Sequence, residues 1–121
     1  MKSTLVLGAS DNPNRYSYLA VNRLIQHGHP VHGFAKKATE VSGVPVRNKK
    51  EEIDIPNLDT ISVYLSPENQ REYYEWILEL APKRVIFNPG AENPELEQIL
   101  RNHHIEPVEA CTLVLLSIGM Y

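Results

Sequence analysis

The segment Gly8–Ser17 carries the residue types that this chain offers for binding an anion. It reads GASDNPNRYS, follows the apolar run Leu5–Leu7 and precedes a stretch with helical spacing. A strand, a turn of small residues and the start of a helix together form a phosphate site, because unpaired N–H groups and the helix dipole both favour negative charge there. The segment therefore predicts a nucleotide-binding site, without deciding which nucleotide binds.

The residues in and after this segment disagree with the common nucleotide motifs. A dinucleotide fingerprint would have glycine where this chain has Ser10 and Pro13, and no Gly-Lys-Ser/Thr of a P-loop follows the first strand. An NAD site usually has an acidic residue after the second strand, where this chain has Lys36 and Lys37. Two lysines favour a ligand with a further phosphate on its ribose, as in coenzyme A and NADP.

Alternating strands and helices would position these residues. Apolar runs predict strands at Leu5–Gly8, Val31–Ala35, Thr60–Leu65, Arg84–Phe87 and Glu106–Ala110, with an edge strand at Gly43–Val46. Helical spacing predicts helices that end at Gly28, begin at Ser66-Pro67 and begin at Asn93-Pro94, a single turn at Lys49–Ile53, and a short helix or extended tail at Leu113–Met120. This alternation predicts one α/β domain over residues 1–121, a three-layer Rossmann-like parallel sheet with helices on both faces.

Composition limits the partners and the compartment that we expect. The net charge of −3, from 12 basic and 15 acidic residues, gives no field that would attract nucleic acid or an anionic membrane. No apolar run approaches the roughly 20 residues that span a bilayer, and the first residues lack the apolar core of a signal peptide. Cys111 is the only cysteine, so no internal disulfide can form. We expect a cytoplasmic protein with no nucleic-acid or membrane partner.

Four segments, taken together and in order, carry a resemblance to a known family. They are Gly8–Ser17, Gly43–Val46, Ser66-Pro67-Glu68, and Asn88-Pro89-Gly90 before the Asn93 helix. With these segments the chain resembles the small single-domain CoA-binding proteins, which share their fold with the N-terminal CoA-binding domain of the succinyl-CoA synthetase α subunit. The resemblance covers nearly the whole chain and implies that the ligand is coenzyme A or an acyl-CoA.

The resemblance also implies which residues contact each part of that ligand. Ser10, Arg15 and Ser17 are expected at the pyrophosphate, in a turn that Gly8, Ala9, Asn12 and Pro13 complete. Lys36 or Lys37 is expected at the ribose 3′-phosphate, Ser66 and Pro67 at the adenosine, and Asn88, Pro89 and Gly90 at the pantetheine arm. Arg15 also supports this interpretation by itself, since a cation at a helix start is unfavourable unless an anion lies nearby.

No pattern in the sequence predicts catalysis or a metal site. The turns at the binding edge bring no nucleophile together with a base, and no cysteine or carboxylate completes a familiar ligand set with the histidines at 27, 29, 32, 103 and 104. We expect Cys111 to be a buried, inert thiol, because no lysine, arginine or histidine adjoins it in the sequence. Tyr73 and Trp76 are expected in the core.

We therefore predict a non-catalytic binding module, which leaves open a protein partner or a homodimer. Two alternatives remain from other classes: an NADP-dependent reductase, and an interaction domain with a vestigial nucleotide pocket. A reductase would bind the same pyrophosphate and further phosphate, but it needs a nicotinamide pocket or a substrate domain, for which 121 residues leave little room.

Overall fold

The computed structural model describes all residues, Met1–Tyr121, and is built on one sheet. Its strands are β1 (Thr4–Leu7), β2 (Val31–Phe34), β3 (Thr39–Val41), β4 (Val44–Arg47), β5 (Thr60–Val63), β6 (Arg84–Phe87) and β7 (Glu106–Glu109). Their order in the sheet is β3-β4-β2-β1-β5-β6-β7. Every neighbouring pair is parallel except β3 and β4, which confirms the predicted α/β class.

Helices cover both faces of this sheet. They are α1 (Tyr16–Gln26), α2 (Pro67–Gln70), α3 (Tyr74–Leu80), α4 (Pro94–Asn102) and α5 (Thr112–Ser117), with 3₁₀ turns at Lys50–Glu52 and Arg71–Tyr73. Alternate residues of β1 enter different cores, because successive side chains of a strand point to opposite faces. Val6 packs with Leu24 of α1, whereas Leu5 packs in the larger core with Leu100 of α4. None of the helices is long and apolar enough to cross a membrane.

The edge of the sheet beside β2 differs from the prediction. Gly43–Val46 was expected to form an edge strand, but β4 pairs with β2 on one side and with β3 on the other. Ser42 and Gly43, with φ of 51° and 85°, join β3 to β4. Positive φ at both residues of a two-residue loop is typical of a hairpin. The sequence prediction missed β3 because this strand has only three residues and one buried apolar side chain, Val41.

Two residues were predicted to cap the helices after β5 and β6, and one of them makes a capping hydrogen bond. Asn93 caps α4, since its Oδ1 accepts a hydrogen bond from Leu96 N–H at 3.1 Å. Ser66 precedes α2 as predicted, but its side chain makes no capping bond. The single helix predicted after Ser66 is instead α2, a 3₁₀ turn and α3 in succession. Tyr73 and Trp76 lie in the core as predicted, at 4% and 7% exposure.

Candidate functional site

The strand order reverses at β1, and Gly8 lies at the carboxyl end of this strand. Strand β1 pairs with β2 on one side and β5 on the other, so a crevice opens where the connections diverge to opposite faces. The Gly8 N–H donates to Phe34 O at 2.8 Å. Gly8 has a φ of +93°, and a Cβ there would lie 3.0 Å from Cδ2 of Leu65. The turn therefore needs glycine both for its backbone conformation and for its close packing.

The start of α1 presents hydrogen-bond donors that have no acceptor within the chain. Arg15 occupies the capping position without a side-chain capping bond, and the first turn contains no acidic residue. The N–H groups of Tyr16, Ser17 and Tyr18 donate to no atom of the protein. Free N–H groups and the positive end of the helix dipole act in the same direction. This end of α1 is therefore suited to an anion.

A cavity of about 390 Å³ opens at the start of α1, and we call it the α1 cavity. It is lined by Gly8, Ser10, Arg15, Tyr16, Ser17, Tyr64 and Pro89. The guanidinium of Arg15 is exposed and forms no ion pair with a carboxylate. Ser17 is buried at 4% exposure and belongs to the same lining. The structure thus brings together Ser10, Arg15 and Ser17, the residues expected at a pyrophosphate.

Hydrogen bonds within the predicted turn hold its backbone next to this cavity. Ser10 Oγ accepts a hydrogen bond from Asn12 N–H at 3.1 Å, and Asn12 Oδ1 accepts one from Asn14 N–H at 3.0 Å. Such side-chain bonds to the following backbone fix a tight turn. Asn12 and Pro13 line neither the α1 cavity nor the second cavity described next. Their contribution in this structure is to the turn itself.

A second cavity, of about 270 Å³, lies on the other side of Gly8, and we call it the β2 cavity. It is lined by Leu7, Gly8, Ala9, Phe34, Ala35, Lys36, Leu65, Asn69 and Tyr73. Most of this lining is apolar, and the exceptions include one cation, Lys36, and one amide, Asn69. Apolar walls with few polar groups are typical of pockets for small organic ligands. The predicted residue Ala9 lines this cavity rather than the α1 cavity.

The two adjacent lysines take different places. Lys36 lines the β2 cavity and pairs with Glu72 at 3.4 Å, whereas Lys37 lines neither cavity and pairs with Asp11 at 3.8 Å. Thr39 Oγ1 also donates to Asp11 Oδ2 at 2.7 Å. This hydrogen bond, with the nearby Lys37 charge, holds the pKa of Asp11 below its usual value. The one carboxylate of the binding turn is therefore engaged by β3 and Lys37.

The residues predicted at the adenosine, Ser66 and Pro67, lie in the chain between two residues that line the β2 cavity. Ser66 and Pro67 line neither cavity, whereas Leu65 and Asn69 line the β2 cavity. Ser66 instead supports its neighbour, since its Oγ accepts a hydrogen bond from Asn69 Nδ2 at 3.0 Å. No local pattern in the sequence singles out Leu65 or Asn69 as facing this cavity.

The segment Asn88–Gly90 divides into a structural part and a part that faces the site. Asn88 is buried, and its Nδ2 donates to Ser62 Oγ and to Val63 O, both at 2.9 Å. Its Oδ1 accepts a bond from Thr112 N–H at 2.8 Å. Pro89 lines the α1 cavity, whereas Gly90 lines neither cavity. The structure therefore brings only Pro89 of this segment to the candidate site.

Tyr64 is a member of the α1 cavity that the sequence analysis missed. Its hydroxyl is buried without a hydrogen-bond partner. Burial raises the pKa of Tyr64 to about 12. The phenol therefore stays protonated near neutral pH. Cys111, at the capping position before α5, is half-buried rather than buried as expected.

Comparison with known proteins identifies a family for the sequence. The model of a family described as "CoA binding domain" matches residues 2–117. A comparison with curated proteins finds no match. The family match spans both cavities and all the strands and helices that position them.

Several solved structures have the same fold. One, described as the crystal structure of an uncharacterized protein, is 50% identical, with a TM-score of 0.95 over 100% of this chain and 98% of that chain. A hypothetical protein from Pyrococcus horikoshii OT3 is 24% identical, with a TM-score of 0.83 over 93% of this chain and 80% of that one. A dinucleotide forming acetyl-coenzyme A synthetase 1 from Ca. Korarchaeum cryptofilum, in complex with phosphate and ADP, is 16% identical, with a TM-score of 0.70. That match covers 89% of this chain and 25% of the synthetase.

Proposed function

Because this chain belongs to the CoA binding domain family, we propose that it binds coenzyme A or an acyl-CoA across the carboxyl end of β1. The observation that carries the proposal is the start of α1, where free N–H groups, Arg15 and Ser17 surround the α1 cavity. A pyrophosphate at this position would accept hydrogen bonds from the N–H groups and a charge-assisted bond from Arg15. The residues present therefore fit the pyrophosphate of the ligand.

The remaining parts of coenzyme A match the two cavities on either side of Gly8. The apolar lining of the β2 cavity is suited to the adenine base, and Lys36 in the same lining is suited to the ribose 3′-phosphate. The pantetheine arm would leave the pyrophosphate through the α1 cavity, past Tyr64 and Pro89. In this arrangement Asn88 and Gly90 act on the ligand only by holding Pro89.

We propose further that the chain is a binding module and not itself an enzyme. Neither cavity is lined by a histidine, aspartate, glutamate or cysteine, so the α1 cavity holds no carboxylate or imidazole that could act as the base for the hydroxyls of Ser10 and Ser17. The titratable groups of the α1 cavity are Arg15, Tyr16 and Tyr64. Of these, Tyr64 has its pKa raised to about 12, which makes it a poor base near neutral pH.

Isothermal titration calorimetry with coenzyme A, dephospho-CoA, NADPH and ATP tests this function. We expect coenzyme A to bind best, because it alone combines the pyrophosphate, the 3′-phosphate and a pantetheine arm. Tight binding of NADPH without binding of coenzyme A would instead support the reductase. A protein that binds none of the four ligands would support an interaction domain with a vestigial pocket.

The substitution Arg15→Glu tests the proposed pyrophosphate contact. We expect it to weaken the binding of coenzyme A by at least tenfold, because one charge-assisted hydrogen bond contributes about 1.5–3 kcal/mol and the new carboxylate repels the phosphates. Arg23→Glu is the matched control, since Arg23 is exposed on the same helix and lines neither cavity. Equal affinities of the two variants would remove Arg15 from the site.

A further inference from the structure

Asn69 is the only amide side chain that lines the β2 cavity. It follows β5 within α2, and it is exposed at the mouth of a pocket whose other walls include Phe34, Leu65 and Leu7. Those walls can cover the faces of a flat base but cannot read its polar edge. An amide, in contrast, places a hydrogen-bond donor and an acceptor side by side. The pocket therefore combines non-specific walls with one group that can distinguish between bases.

Ser66 holds this amide in one orientation. Asn69 Nδ2 donates to Ser66 Oγ at 3.0 Å, and the Asn69 backbone N–H donates to Ser66 O at 3.0 Å. An amide nitrogen carries two hydrogens, so one N–H of Asn69 is left, and Oδ1 has no partner in the chain. The side chain is thus hydrogen-bonded to its neighbour while one donor and one acceptor stay available to a ligand.

We infer that Asn69 selects adenine over other purines in the proposed coenzyme A site. Oδ1 would accept a hydrogen bond from the 6-amino group, and the free N–H would donate to N7, the pairing that asparagine makes with adenine in nucleic acids. Hypoxanthine has a 6-keto group, so its edge presents two acceptors to an amide that has one donor and one acceptor. The inference rests on the proposed function, because it assigns the base of that ligand to the β2 cavity.

Adenosine 3′,5′-bisphosphate and inosine 3′,5′-bisphosphate are suitable probes, because they share every phosphate and differ only at the base. Calorimetric titration of the full chain should give an affinity for the adenosine compound roughly tenfold or more above that for the inosine compound. In Asn69→Ala the two affinities should become equal, mainly through weaker binding of the adenosine compound. Asn48→Ala, at an exposed asparagine that lines neither cavity, should keep the wild-type preference.

The outcomes separate this inference from the function on which it rests. If Asn69→Ala keeps the wild-type preference, or the wild type binds both probes equally while it binds coenzyme A, Asn69 does not select the base and coenzyme A binding still stands. If the wild type binds neither the probes nor coenzyme A, the proposed function itself is wrong. Circular dichroism of Asn69→Ala should match the wild type, because the side chain is exposed.

Discussion

At the scale of single residues, two lysines that are adjacent in the sequence differ in their position relative to the β2 cavity. Lys36 lines the β2 cavity and Lys37 does not. Their ion pairs, with Glu72 and Asp11, are both exposed, and such pairs contribute little to stability. Neither lysine is therefore held strongly by its partner. Sequence alone left the choice between them open, because adjacent residues in a loop can point in any direction.

The pair Lys36→Ala and Lys37→Ala tests this assignment. Wild-type protein should bind coenzyme A roughly tenfold or more tightly than dephospho-CoA, since a charged contact to the 3′-phosphate contributes about 1.5–3 kcal/mol. Lys36→Ala should remove this preference, and Lys37→Ala should keep most of it, as measured by calorimetry. A preference lost only in Lys37→Ala would show that the wrong lysine has been assigned.

Two glycines with the same φ allow the packing at Gly8 to be measured. Gly8 and Gly90 both have a φ of +93°, but a Cβ at Gly8 would meet Leu65 while one at Gly90 would meet nothing within 4 Å. Gly90→Ala should therefore lose about 1–2 kcal/mol of unfolding free energy for the left-handed backbone alone. Gly8→Ala should lose more, as judged by urea denaturation. Equal losses would mean that the contact with Leu65 relaxes without cost.

At the scale of elements, Asn88 joins the end of β6 to β5 and to the start of α5. The side chain bonds to Ser62 and Val63 of β5 and to Thr112 at the start of α5. We expect Asn88→Ala to lower the free energy of unfolding by about 2–4 kcal/mol, because it leaves buried polar groups without partners. Urea denaturation should show the loss, and the exposed substitution Asn102→Ala should change stability little. Similar stability of both variants would contradict a structural role for Asn88.

Regular elements were predictable from the sequence where the apolar pattern is continuous. Arg84–Phe87 forms β6 with the bounds that its apolar run indicated, and the other parallel strands agree within about two residues at each end. Strand β3 was missed, since its pairing with β4 depends on the turn at Ser42 and Gly43 rather than on apolar residues. A local apolar pattern in the sequence thus predicts buried strands better than it predicts a short strand whose pairing depends on a turn.

The candidate site was predictable where one contiguous turn builds it. Ser10, Arg15 and Ser17 come together because all three lie in the short segment from the end of β1 to the first turn of α1. Tyr64 and Asn69 were not found, since they join the site from another strand and the helix after it. A single sequence does not show which residues of distant connections face the same cavity.

At the scale of the whole molecule, we expect the free energy of unfolding to depend on pH through His29, which contacts the residues just before β1. The N–H of Lys2 donates to Nδ1 of His29 at 3.0 Å, which requires an unprotonated nitrogen. Burial, and then nearby positive charges that include Lys2 and Arg84, lower the pKa of His29. The folded chain therefore binds fewer protons than the unfolded chain. Stability is complete above the unfolded pKa of 6.5 and falls as the pH drops through that value toward the folded pKa.

Thermal unfolding of the wild type and of His29→Gln tests this dependence. Between about pH 7.5 and about pH 5, the Tm of the wild type should fall more than that of the variant, which has no group to protonate at this position. The raised pKa of Glu97 acts in the opposite direction in both proteins, so the difference between the two curves is the relevant quantity. Parallel curves would exclude His29 as a source of the pH dependence.

The α1 cavity and the β2 cavity share Gly8 and no other residue. A ligand that fills both must therefore bend over the carboxyl end of β1, with its two halves held on separate surfaces. Each half should bind weakly as a free fragment, and occupancy by one should not exclude the other. Their covalent link then supplies a high effective concentration of the second half once the first has bound. In such a site, affinity depends on the length and flexibility of the link as well as on the contacts.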